Sequence, residues 1–112
     1  MLHPSEKHSY FWTLDSDKNP MPCDSVEEWS EWLGKSGRLV GSDCIGTIKI
    51  NTMATGINCQ KMEGQPPLIF ETWVIDSDKG AIERCYYATW SEALEGHHLA
   101  VFYYRLQRKE EH

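Results

Sequence analysis

The chain has 112 residues, 40% of them apolar and five of them Trp, with 17 acids against 11 bases and a formal net charge of −6. That length can bury roughly two thirds of the surface an open chain exposes, so it builds one modest core and leaves no room for a second domain. The apolar content excludes disorder, the short apolar runs exclude a membrane-spanning helix, and the acidic excess excludes a general binder of nucleic acid or anionic membrane, which would gain its affinity from Lys and Arg.

Residues 1–8 read as a polar arm, without the apolar stretch of a signal peptide. The ordered part of a single domain, 1–112, is expected over about 10–108. Tyr10 to Leu14 is aromatic and predicts a strand, and Asp15 to Pro20 turns the chain. Ser25 and Glu28 fit a capping box that opens a helix. Val26, Trp29 and Leu33 share one helical face with Trp32 beside them, and Gly34 ends the element. Lys35 to Gly41 reads as a loop. Residues 43–53 read as one strand, with Cys44, Gly46, Ile48 and Ile50 partly sharing a face and Thr47, Lys49 and Asn51 on the other. Residues 54–67 carry Gly, Asn and Pro-Pro and predict a long loop of the kind often functional. Leu68 to Ile75 predicts a strand, 76–80 a hairpin turn, and Ala81 to Ala88 its antiparallel return. Thr89 and Glu92 form a second capping box. The last helix, from about Trp90 to Arg108, has a stripe of Trp90, Leu94, His97, Val101 and Tyr104 aimed at the sheet. Arg105, Arg108 and Lys109 suit its C-terminal dipole end. The order β–α–β–β–β–α predicts an α+β fold: a small antiparallel sheet of three to four strands with two helices packed against it.

The charge is uneven. Asp15, Asp17, Asp24, Glu27, Glu28 and Glu31 face only Lys18 within residues 15–31, a local charge of −5. Such a segment is either a solvated face or a docking surface for a basic partner. Asp15-x-Asp17-x-Asn19 opens like a calcium loop but continues with Pro20 and Val26 where Gly and Glu are needed, and Asp76-x-Asp78 fails likewise, so both read as turns. The four Cys, at 23, 44, 59 and 85, lack metal-ribbon spacing and read as reduced, mostly packed thiols; a metal site joining Cys59 or Cys85 to a His is the alternative. His97 reads as a packed histidine bonded to backbone or Thr, or else as a ligand or base; His98, His3, His8 and His112 read as surface residues. Glu71, mid-strand with Ile69, Trp73 and Ile75, needs a partner. It reads either as an ion pair with Lys49 or Arg84, or as one wall of a ligand pocket made of Asn58, Glu71, Arg84, Trp90 and His97. The Trp residues read as core, with room for one or two as exposed anchors. With no phosphate-cradling loop, nucleophile–base pair or metal set, no catalytic residue, metal or cofactor is expected, and the chain reads as a non-enzyme.

GQPPLIFETWVID at 64–76 followed by ERCYYATWSEALEGHHLAV at 83–101 resembles a family of small uncharacterised proteins encoded by bacteriophages and prophages. The matching positions include Pro66, Pro67, Phe70, Glu71, Thr72, Val74, Glu83, Arg84, Thr89, Trp90, Glu92, Ala93, Gly96 and His97, with Thr52 and Gly56 upstream. An Asp-His pair of that family is replaced by Asn58-Cys59, which removes a titrating carboxylate and an imidazole from any chemistry built on them. The resemblance carries no activity with it, but together with the small size, the excess of acid and the lack of catalytic signatures it predicts a phage accessory protein that works by binding in the cytoplasm of the bacterial host. An anti-CRISPR-like inhibitor would dock its acidic face on the basic groove of a defence complex. The alternatives are an oligomer that sequesters a nucleotide signal, and a virion or replication component. Neither direct nucleic-acid nor membrane binding is expected, and a homodimer through a strand edge stays open.

Overall fold

The computed structural model describes residues 10–35 and 37–110. The polar arm, His3, His8 and His112 lie outside the described residues, as does the side chain of Lys109. The protein is α+β, with two antiparallel sheets and two helices.

Aromatic β1 (Phe11–Leu14) pairs with β2 (Pro20–Cys23), Leu14 opposite Pro20 and Phe11 opposite Cys23. The sequence hides β2 behind two prolines. The ribbon tolerates them because β2 has an outer edge that needs no donor, whereas the other edge of β1 bridges to Ile57. The connecting turn is an Asx turn: Asp15 Oδ1 accepts from the amides of Asp17 (2.8 Å) and Asn19 (2.9 Å). Helix α1 (Val26–Leu33) follows, with Ser25 as its N-cap accepting from the Glu28 amide at 3.1 Å. Trp29, Trp32 and Leu33 are half-buried, whereas Val26 is 48% exposed, so the apolar face is shorter than the spacing suggested. The helix lies against its own hairpin rather than across the main sheet.

The main sheet is a meander in the order β3 (Leu39–Ile45), β4 (Ile48–Ala54), β5 (Phe70–Asp76), β6 (Gly80–Tyr87). The stretch read as a single strand over 43–53 is thus the end of β3, a two-residue turn and β4, and β3 begins inside the expected loop. Gly46, at φ +60°, takes the left-handed position at the first turn residue, where a type II′ hairpin needs glycine. The turn reverses facing: Cys44 pairs with Lys49 on the open side of the sheet, while Ile48 and Ile50 turn inward. On β5 the buried residues are Phe70, Thr72, Val74 and Asp76, leaving Glu71, Trp73 and Ile75 on the open side. Ile69 precedes the strand and is fully buried, so it does not share that open side.

Helix α2 (Trp90–Glu110) covers the inner face of the sheet, and Thr89 Oγ1 caps the Glu92 amide at 3.1 Å. Its buried residues are Ala93, His97 and Val101; Leu94 stands at the margin, 37% exposed. The core forms two clusters on either side of His97. Ile45, Ile50, Val74 and Val101 make one. Ala54, Ile69, Phe70 and Ala93 make the other, onto which Trp12, Leu14, Trp32 and Trp90 pack. That second cluster joins the N-terminal hairpin to the sheet. The join is reinforced by the Trp12 amide donating to Gly56 O (2.7 Å), by Trp29 Nε1 donating to Thr55 O (3.1 Å), and by Arg38, which donates to Leu33 O of α1 (3.1 Å) and to Ala54 O of β4 (3.0 Å). No helix among the described residues is long and apolar enough to cross a membrane.

Candidate functional site

The acidic segment is mostly exposed to solvent. Asp17, Asp24, Glu27, Glu28 and Glu31 are exposed, and Asp15 is half-buried within its turn. Two backbone amides and the Asn19 side chain bonded to Asp15 outweigh its burial and hold its carboxyl below the usual range. Lys18, the one base in the segment, takes a left-handed conformation (φ 68°) and turns away. Its Nζ donates to Gly37 O at 3.1 Å and sits 5.2 Å from the Trp90 ring centroid. Among the described residues none of the six carboxylates has a salt-bridge partner. Among the described residues the charge of this segment is therefore uncompensated by ion pairs.

The five residues proposed for a pocket are not brought together. His97 lies beneath α2 on the inner side of the sheet, while Glu71 and Arg84 project from its open side, so the sheet itself separates them. Trp90 stands at the start of α2, edge-on to Phe70 with ring centroids 6.1 Å apart. The Asn58 side-chain oxygen is occupied in the 55–69 loop, where it accepts from the amides of Gln60 (2.9 Å) and Leu68 (3.1 Å). Nor does Glu71 form an ion pair with Lys49 or Arg84. Arg84 instead lies over the cross-strand Trp73 ring, 4.6 Å from its centroid. Trp73 is 38% exposed, whereas the other four Trp are half-buried.

His97 is the packed histidine bonded to Thr that the sequence suggested, and the bond is one link of a longer buried polar chain whose other members the sequence did not single out. Asp43 Oδ2 lies 2.7 Å from His97 Nε2, His97 Nδ1 lies 2.7 Å from Thr52 Oγ1, and Thr52 Oγ1 lies 2.6 Å from Thr72 Oγ1. The Tyr87 hydroxyl interacts with Thr72 at the far end. A neutral imidazole satisfies this chain by donating from Nε2 to Asp43 and accepting at Nδ1 from Thr52. The signal was legible in parity: Thr52 occurs in step with Ile48, Ile50 and Ala54, and Thr72 with Phe70 and Val74, all inward positions. An acid–imidazole–hydroxyl order resembles a nucleophilic triad, but Thr52, His97 and Thr72 are at most 2% exposed. No substrate atom reaches those hydroxyls without opening the helix–sheet interface. The arrangement is therefore a strut across the core.

All four Cys are free, and only Cys23 is buried; Cys44 is exposed, and Cys59 and Cys85 are half-buried, so the thiols are less packed than composition suggested. No group of three metal-ligating side chains occurs among the described residues. Burial pushes the thiols of Cys23, Cys59 and Cys85 above their ordinary range, and the carboxylates nearest each, such as Glu83 beside Cys85, push the same way. Because the thiolate is the nucleophile, those three thiols will react slowly at mildly alkaline pH, and their rates will keep rising at a pH where an ordinary thiol has levelled off. Cys44 is expected to be labelled first, and Cys23 only with unfolding. Mass spectrometry of a timed alkylation series reads that order, and labelling of native Cys23 as fast as Cys44 would contradict it.

The chain matches no protein-family model, no curated protein and no solved structure.

Proposed function

We propose that this is a phage-derived accessory protein that acts by binding a protein of the bacterial host cell. Its docking surface is Asp15, Asp17, Asp24, Glu27, Glu28 and Glu31. Its partner is a nucleic-acid-binding defence complex whose basic groove it occupies in the manner of an anti-CRISPR inhibitor. The observation that carries this reading is the uncompensated charge: six carboxylates gathered on the hairpin turn and α1, with Lys18 drawn off to Gly37 and Trp90. A groove that holds phosphates presents Lys and Arg in a row, and an acidic surface matches it in sign while being repelled by nucleic acid itself. The long helix of the fold is spared for packing, so the short α1 can meet a partner without unfolding the core.

Pull-down from the bacterial host with the full chain, followed by a salt titration, tests the reading. Raising salt to about 1 M shrinks the screening length to about 3 Å, and binding should weaken steeply. The triple reversal Glu27→Lys, Glu28→Lys, Glu31→Lys should weaken it by about 10- to 100-fold, with retention of the fold checked by circular dichroism because Glu27 and Glu28 are also the first-turn acids of α1. A partner held equally well at high salt, or by the reversed variant, would refute acidic docking.

A further inference from the structure

The outer side of α2 carries a second apolar stripe that the core does not use. Leu99, Phe102, Tyr103 and Leu106 are 62%, 62%, 52% and 45% exposed, and their spacing of three, four and seven residues sets them in one row. Single exposed apolar residues are ordinary, whereas a continuous row on one helix marks a contact surface. A groove of about 390 Å³ runs along one flank between α2 and β6, bordered by Gly96, Leu99 and Tyr103, and another of about 390 Å³ runs along the other flank beside Asp43 and Phe102.

We propose that this stripe is a homodimer interface, in which α2 packs antiparallel against α2 of a second copy. The charge along the helix selects this occupant. Glu92 and Glu95 continue the same row toward the N-terminus, and Arg105 flanks it toward the C-terminus. Antiparallel pairing brings the acidic half of each helix beside the basic half of the other. With Leu99 opposite Phe102 of the second copy, Glu95 falls beside Arg105, and symmetry makes the pair twice. Parallel pairing would set Glu95 against Glu95 and Arg105 against Arg105. The helix ends also favour the antiparallel arrangement, since opposed dipoles attract. A self-complementary patch closes on two copies and leaves nothing exposed to propagate. This surface is on the opposite element from the acidic α1, so the two readings stand or fall separately.

Sedimentation equilibrium of the full chain over a concentration series tests it. A monomer–dimer equilibrium is expected. Leu99→Glu and Phe102→Glu should each raise the dissociation constant by about 100-fold, since each places two uncompensated carboxylates in an apolar contact. Glu95→Arg or Arg105→Glu alone should raise it by about tenfold, while the two together should return it to within about threefold of the original. These positions are exposed, so folding is retained and is checked by circular dichroism. A chain monomeric throughout, a dimer insensitive to Leu99→Glu and Phe102→Glu, or charge reversals that add instead of cancelling would each overturn the proposal.

Discussion

Gly56→Ala is expected to cost about 3–5 kcal/mol of folding stability, a large share of what a domain of this size holds. Two effects add. Gly56 has φ +71°, in the left-handed region that an L side chain enters at a cost of about 1–2 kcal/mol. A methyl group there would also drive into the Trp12 carbonyl oxygen and lie 2.6 Å from Trp29 Nε1 and 2.7 Å from Trp32 Cζ3. None of these neighbours yields easily. The Trp12 carbonyl is backbone, and Trp29 is tethered by its bond to Thr55 O. Gly56 O moreover accepts from the Trp12 amide, so a shift at residue 56 loosens the bond that docks the N-terminal hairpin. Gly80→Ala separates the two effects. Gly80 has φ +86° with open space around it, so it should lose only the conformational part, about 1–2 kcal/mol. Urea denaturation of both variants, followed by Trp fluorescence, reads the difference. Equal costs at the two positions would mean that the three-tryptophan contact at Gly56 does not bear on stability.

Much of the architecture was legible because local chemistry and tertiary demand agree in it. The alternation along β5, the Asp76–Gly80 turn and the Thr89 cap each point to the element that forms. The strands that escaped did so for physical reasons. Pro20 and Pro22 argue against β2 locally, and only its outer edge admits them. Gly46 looks like a weak point within one strand, and its φ of +60°, which splits it into a hairpin, is not readable from composition. The site was less legible than the fold. The carboxylates of α1 could be placed outside from helical periodicity alone. The scatter of Asn58, Glu71, Arg84, Trp90 and His97 could not, because it depends on which face of the sheet α2 covers.

His97→Leu should cost about 3–5 kcal/mol, and the size of the loss should depend on the neighbouring threonines. The imidazole is the only hydrogen-bond bridge from Asp43 to Thr52, and it fills a space closely matched to Gly41, whose missing side chain would lie 2.6 Å from the ring. Leucine fills most of the volume but leaves the Thr52 and Thr72 hydroxyls, 0% and 1% exposed, with only each other and Tyr87. A buried hydroxyl short of a partner costs about 1–3 kcal/mol. Asp43, whose side chain is 41% exposed, is rehydrated when His97 is replaced, whereas Asp43→Ala strips the buried Nε2 of His97 of its partner and should cost about 1–3 kcal/mol. The decisive variant removes the polarity as a unit. His97→Leu with Thr52→Val and Thr72→Val removes both buried threonine hydroxyls and leaves the half-buried Tyr87 hydroxyl with Cys85, and replacing a buried polar set by apolar groups of similar shape is close to neutral. The triple variant should therefore be more stable than His97→Leu alone by about 1–3 kcal/mol, although it carries two further core substitutions. Strict additivity, with each threonine replacement lowering stability further in the His97→Leu background, would show that the threonines stand apart from the histidine. Non-additivity of the expected sign would identify His97, Thr52 and Thr72 as one strut, through which α2 is held in register on the sheet.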